Sequence, residues 1–225
     1  MSRNAPLSAT RRPGTFESVT LASRTGPLEG QHLDLVPIDL SMAADLAAAA
    51  AVDRSTYNWA FVPDGEAAMT TYLATLIADR DAGKLVPFAH RVRATGRFVG
   101  CTRYLELRWF RGRPDPDEVE IGGTWIGADH QRSALNTEAK LLMLTNAFET
   151  WNVWRVSIAT DERNERSRTA IARLGATFEG VLRSHRGSWV TDEAGTPRNT
   201  AMFAITESEW PDVKQRLEDR LAASA

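Results

Sequence analysis

The chain has 225 residues, 43% hydrophobic and 25% charged, with a formal net charge of -2, enough for one ordinary domain with a substantial core. Charges of both signs are interspersed, so there is no basic footprint for DNA or RNA. A lone cysteine, Cys101, excludes a disulfide framework within the chain, and the longest apolar stretch, Ala47 to Val52, is far below the roughly 18 residues of a membrane span. The cytoplasm is the expected location.

Residues 1–14 are polar and rich in Arg, Ser and Pro, the composition of a disordered tail, and residues 15–225 read as one domain. The pair Arg11-Arg12 is followed by no apolar core, so it is not an export signal. His32 to Pro37 alternates as a strand does. Ser41 opens an Ala/Leu-rich helix to about Ala51, and a second helix spans about Gly65 to Ala82. The aromatic connection between them, Thr56 to Phe61, places Tyr57 and Trp59 at a substrate mouth; the remaining tryptophans are expected mostly in the core. Val86 to Val92 and Arg97 to Leu107 form a hairpin about Ala94-Thr95-Gly96. A charged loop, Arg111 to Glu118, leads to a strand at Val119 to Ile126, a loop at Gly127 to Leu135 and a helix from Asn136 to Trp151. Trp154 to Ala159 is a strand, Asn164 to Leu174 a helix, and Phe178 to Ser188 and Thr200 to Ile205 closing strands before a last helix near Pro211. The class is α/β in the α+β sense: a mixed, mostly antiparallel sheet flanked by helices.

Strict alternation along VEIGGTWI sets Val119, Ile121, Gly123 and Trp125 on one face and Glu120, Gly122, Thr124 and Ile126 on the other. Glu120 is then a carboxylate on a face of mostly small residues, suited to a cleft floor, although a solvated or Arg-paired strand residue fits the same pattern. In the next helix Leu141, Leu144, Phe148 and Trp151 recur at helical spacing. Asn136 or Thr137 can cap it, and Glu138 suits its first turn. A helix start reached from a strand by a short loop offers N–H groups to an anion such as a pyrophosphate. Further on, Asn164 is an N-cap, Gly175 a stop, and Ser167, Ala170, Ile171 and Leu174 share one face.

The run EIGGTWIGADHQRSALNTEAKLL resembles the central motif of GNAT acetyltransferases, most closely the RimJ/RimL type, and Asn164-x-x-Ser167 with the ending near Phe178 resembles their second signature. The resemblance spans roughly residues 28–220. It implies a strand splayed from its neighbour, with the backbone of Trp125 and Ile126 on the pantetheine arm of acetyl-coenzyme A. Gln131, Arg132, Ser133, Ala134, Leu135, Asn136 and Thr137 would form the pyrophosphate loop, where the family more often has glycine at position 134. It also implies Asn164 on the pantetheine, Ser167 near the sulfur, and Asn199 where the family often has Asp.

An amine must lose its proton before it can attack a thioester, and Glu120 is the candidate base, with Ser167 the candidate donor to the departing thiolate. Cys101, in a strand with no His beside it, reads as a structural thiol. His130 and His185 carry no assigned role, and the histidine spacing suggests no metal. The expected activity is acetyl transfer to a primary amine, either a protein N-terminus or a small molecule. The other class left open is a non-catalytic acyl-coenzyme A-binding or regulatory protein of the same fold. A homodimer paired through sheet edges is a further expectation.

Overall fold

The computed structural model describes residues 20–223; the tail expected at 1–14 lies outside them. The strands are β1 (Leu28–Glu29), β2 (Leu33–Pro37), β3 (Val86–Val92), β4 (Phe98–Arg108), β5 (Glu118–Ile126), β6 (Arg155–Asp161), β7 (Thr177–Gly187) and β8 (Pro197–Thr206). They form one sheet in the order β1-β2-β3-β4-β5-β6-β8-β7. Neighbours run antiparallel except β5 and β6, which are parallel. That pair is joined through a helix, as a parallel crossover requires. The helices are α1 (Leu21–Arg24), α2 (Ala43–Ala51), α3 (Gly65–Asp81), α4 (Ala134–Thr145), α5 (Glu165–Arg173) and α6 (Trp210–Ala222).

Two apolar layers sandwich the sheet. On one face Val119, Ile121, Val156 and Ile205 pack with Met143 and Leu144 of α4, Ile171 of α5 and Val213 and Leu217 of α6. On the other, Ala89, Cys101 and Trp125 pack with Leu46 of α2 and Met69 and Leu73 of α3. Each such large side chain removed from water contributes about 1.5–3 kcal/mol. Tyr104 anchors the first layer: it is fully buried, donates its hydroxyl to the Met143 carbonyl at 2.6 Å, accepts from Asn146 at 3.3 Å, and lies 4.5 Å from the Trp151 ring. One π-turn, Asn146–Thr150, ends α4 and brings Trp151 to that ring. Of the tryptophans, Trp109, Trp154 and Trp189 are exposed, contrary to the expected mostly buried set.

Strict alternation fails in β5. Arg103 pairs with Gly122 and Cys101 with Trp125, so an extra residue is taken up between them, and Gly123 sits at φ +56°. Beyond this bulge Trp125 lies in the layer with α2 and α3, opposite Val119 and Ile121, while Thr124 turns toward α4 and touches Lys140. A side chain at Gly123 would be strained at this φ, and its Cβ would clash with the Arg103 guanidinium. Gly123→Ala is therefore expected to cost about 1–2 kcal/mol from the backbone alone, with any Arg103 displacement added. Equilibrium denaturant unfolding measures it.

Two basic groups lie buried beneath this region. Lys140 donates to Thr124 at 2.7 Å and Thr102 at 3.4 Å, and His90 has no hydrogen-bond partner at either ring nitrogen among the described residues. Burial holds the Lys140 ammonium down to about 7, against about 10.4 when unfolded. Between those values the unfolded chain binds a proton that the folded one does not, so this group makes stability rise with pH from about 7 to about 10. Below 7 both states carry the proton and the penalty is at its full size. Lys140→Met is expected to be more stable than wild type at pH 7 and to flatten the rise between pH 7 and 9, as read by denaturant unfolding at both pH values.

Candidate active site

The parallel pairing of β5 and β6 is short. It runs from Glu118 opposite Arg155 to Ile121 opposite Ile158 and then stops. Beyond it β5 follows β4 through the bulge, and β6 follows β8 to Asp161. The two strands fork, and the backbone of β5 above Ile121 faces a gap on one side. The Gly127 N–H donates to the Val99 carbonyl at 2.7 Å, so alternation turns the Ile126 carbonyl into the gap and leaves Trp125 paired with Cys101. Gln131 Nε2 and the Tyr57 hydroxyl donate to the Ile126 carbonyl at 3.0 and 3.4 Å.

At the mouth of the fork, a 3-10 turn at Ala128–His130 leads to Arg132, whose φ of +60° makes it the left-handed residue of the loop. Ala134 has an ordinary helical start, so the alanine where the family more often has glycine carries no strain. α4 begins at Ala134, with Ser133 as its cap: its hydroxyl accepts from the Leu135 N–H at 3.4 Å and donates to the His130 carbonyl at 2.6 Å. The expected cap at Asn136 or Thr137 is thus displaced; Asn136 is half-buried inside the helix and Thr137 is buried. Glu138 is not in the first turn, and its carboxylate accepts from the backbone N–H groups of Gln31, His32 and Leu33 instead. Arg132 and Ser133 are exposed, and the first-turn N–H groups of α4 have no intrahelical partners by geometry.

Across the fork stands α5. Asn164 caps it by accepting from the Ser167 N–H at 3.0 Å through its Oδ1. Ile171 and Leu174 are buried, Ser167 is half-buried and Ala170 is exposed, so the inward stripe is narrower than the spacing predicts. Arg166 bridges the opening, donating to Gln131 Oε1 at 3.3 Å and the Thr56 carbonyl at 3.0 Å, while Gln131 also donates to the Thr56 hydroxyl at 3.1 Å. Tyr57 is buried edge-on to Trp125 at 6.1 Å, a support of β5 more than a mouth residue. Trp59 is half-buried with the Arg163 guanidinium 4.6 Å over its ring.

Below the fork a cleft of about 370 Å³ opens on the face that α2 and α3 leave uncovered. Glu120, paired in register with Ser157, forms part of its lining. Its carboxylate is 3% exposed and accepts two parallel hydrogen bonds from Arg186, at 2.7 Å each. Each oxygen thus spends one of its lone pairs on Arg186. Ser167 does not line this cleft. Cys101 is buried, and burial pushes its thiol up to about 12, which fits a structural residue. Arg186, Arg166 and Thr56 have no local signal in the sequence; chain segments that are distant in sequence bring them in.

Arg186 is the only guanidinium bonded to Glu120 among the described residues, and the pair ties β7 to β5. Breaking a buried pair from one side costs about 3–5 kcal/mol, and access of water through the cleft lowers that to about 2–3 kcal/mol here. Arg186→Met is expected to lose that much, and Glu120→Gln added to it is expected to restore part. A double-mutant cycle by denaturant unfolding measures the coupling.

Residues 32–177, more than half of the chain, match the family model described as acetyltransferase (GNAT) domain. The chain is 26% identical over 159 residues to YdaF of Bacillus subtilis (strain 168), which is named as a ribosomal N-acetyltransferase, covering 70% of this chain and 81% of that one. It is 30% identical to a structure named as an acetyltransferase from T. thermophilus, with a TM-score of 0.71 over 88% of this chain and 97% of the other. At 20% identity, Mycobacterium smegmatis RimJ in complex with CoA-disulfide shares the fold, with a TM-score of 0.68 over 87% of this chain and 97% of RimJ. The chain belongs to the GNAT family of N-acetyltransferases and resembles its RimJ/RimL-type members.

Proposed function

We propose that this enzyme transfers the acetyl group of acetyl-coenzyme A to the α-amine of a protein N-terminus held in the Glu120 cleft, in the cytoplasm. The observation that carries this reading is the juxtaposition at the fork of β5 and β6: a helix start and exposed loop above it, and a polar cleft lined by Glu120, His185 and Arg186 below it. The names of the relatives, one a ribosomal N-acetyltransferase, favour a protein over a small-molecule acceptor.

The coenzyme fits the residues present. Pyrophosphate is a doubly charged anion, and the first-turn N–H groups of α4 with the exposed Arg132 and Ser133 are its complement. The Ile126 backbone in the gap and the Nδ2 of Asn164 are the polar groups suited to the amides of the pantetheine arm. Bound coenzyme supplies an activated acyl thioester. The chain then has to orient the amine, take up its proton and support the leaving sulfur. Ser167, in the first turn of α5, is the hydroxyl assigned to the sulfur.

The cleft wall carries Glu106, Glu118, Glu120 and Glu179 against Arg108, Arg155 and Arg186. The acids and arginines are ion-paired with one another, so the wall is of mixed charge with one carboxylate in excess, and it offers an ammonium carboxylate oxygens as acceptors. The exposed outer edge of β7 is the surface on which a second copy would pair in the expected homodimer.

Cell extract incubated with the purified chain and labelled acetyl-coenzyme A separates the acceptors by mass spectrometry. The expected result is label on protein α-amines. Label confined to small metabolites would overturn the protein reading, and no thiol release with any of a panel of amines would overturn catalysis by this site.

A further inference from the structure

We infer that His185 takes the proton from the acceptor's ammonium, and that the Glu120–Arg186 pair positions the amine without carrying the proton. This rests on the reading that the cleft receives the amine.

Adjacent residues of a strand point to opposite faces, yet His185 and Arg186 both line the cleft. A break in the β7–β8 register between Leu182 and Arg186 explains this, with Ser184 in the left-handed region at φ +48°. Bulges of this kind re-aim side chains beside active sites. This one is pinned: the Ser184 N–H donates to Asn199 Oδ1 at 2.9 Å, and Asn199 Nδ2 donates to Glu162 at 2.7 Å. A non-glycine residue held left-handed by a dedicated hydrogen bond is a built feature of the chain.

Glu120 is 3% exposed with each oxygen bonded to Arg186 at 2.7 Å, whereas His185 is exposed and lines the same cleft. The charges acting on its ring are Arg186 beside it, Glu120 on β5, Glu106 on β4 and Arg198 on β8. Desolvation, with Arg186 next, lowers the imidazole below its ordinary range, which favours its neutral form, the form with a lone pair open to a proton. An α-ammonium, near 8, lies about 1–2 pH units above an ordinary imidazole, and a lysine ammonium, near 10.4, about 4 units above it. The lowering at His185 widens both gaps alike, so a histidine acceptor still suits an α-amine better than a lysine.

In the reaction the ammonium gives one proton to His185. The freed nitrogen pair forms the N–C bond to the acyl carbon, the C–S bond breaks, and the second proton of the nitrogen passes to the departing sulfur. His185 returns its proton to solvent, so the products are amide, free thiol and one proton.

The test follows thiol release by the full chain with acetyl-coenzyme A and a hexapeptide beginning with alanine, from pH 5.5 to 9. Wild type is expected to show an acid limb in kcat/KM for the peptide with a midpoint below about 6.5. His185→Gln is expected to lose that limb and about 10²–10³-fold in rate, with the KM for coenzyme unchanged. Added imidazole is expected to restore part of the rate to His185→Ala, an outcome that a merely structural role would not give. A His185→Gln rate within threefold of wild type, or an acid limb that persists in it and disappears in Glu120→Gln, overturns the inference alone. Wild type inert toward every amine overturns the reading of the cleft as well.

Discussion

Everything at this site depends on one local failure of strand pairing. β5 and β6 are parallel neighbours for only the length from Glu118 to Ile121, after which the Gly122-Gly123 bulge turns β5 along β4 while β8 holds β6. An unpaired backbone in a protein interior is costly unless something satisfies it. The fork therefore creates both a gap and a demand for hydrogen bonds within it. Here Gln131 and Tyr57 meet that demand at the Ile126 carbonyl. The Ile126 carbonyl is therefore satisfied although the sheet is open beside it.

The fork is braced from outside. Arg166 of α5 reaches Gln131 and the Thr56 carbonyl, so the two arms and the α2–α3 connection form one hydrogen-bonded unit. Below, the bidentate Glu120–Arg186 pair ties β5 to the edge strand β7. These contacts are made by side chains whose own rotamers are limited by two or more partners, which is how a site keeps its geometry between turnovers. The contrast with the rest of β7 is plain: its outer surface is exposed almost throughout, including Phe178, Val181 and Leu182.

Much of this is legible in the sequence, for reasons that differ by element. The two apolar layers write themselves into periodicity, as in Leu144, Phe148 and Trp151 of α4 and its continuation. Asn164 as a cap and Glu120 as a carboxylate in a strand need only local chemistry. Alternation misplaces the faces of β5 because a period of two assumes no bulge, and the pair of glycines that permits one is equally compatible with a regular strand. Residue type alone starts α4 two residues late because Asn136 and Thr137 are good caps, while Ser133 wins by meeting both Leu135 and His130. Arg186 is invisible, since its partner is 66 residues away in sequence and nothing near it announces the pairing.

Position 199 shows how a departure from a family pattern can be read physically. An aspartate there could accept from the Ser184 N–H, but it would face Glu162 with like charge. Asparagine has one end of each kind: its oxygen accepts from Ser184 and its amide donates to Glu162. The Glu162 N–H in turn donates to the Asn199 carbonyl at 3.2 Å, closing a small two-way link between the end of β6 and the bulge of β7. The residue that leads into α5 and the residue that shapes the cleft wall are thus held by one neutral side chain. In this chain the identity of residue 199 and the acid at 162 belong together: a lone change to aspartate would put two carboxylates in contact and loosen the turn that sets His185 beside Arg186.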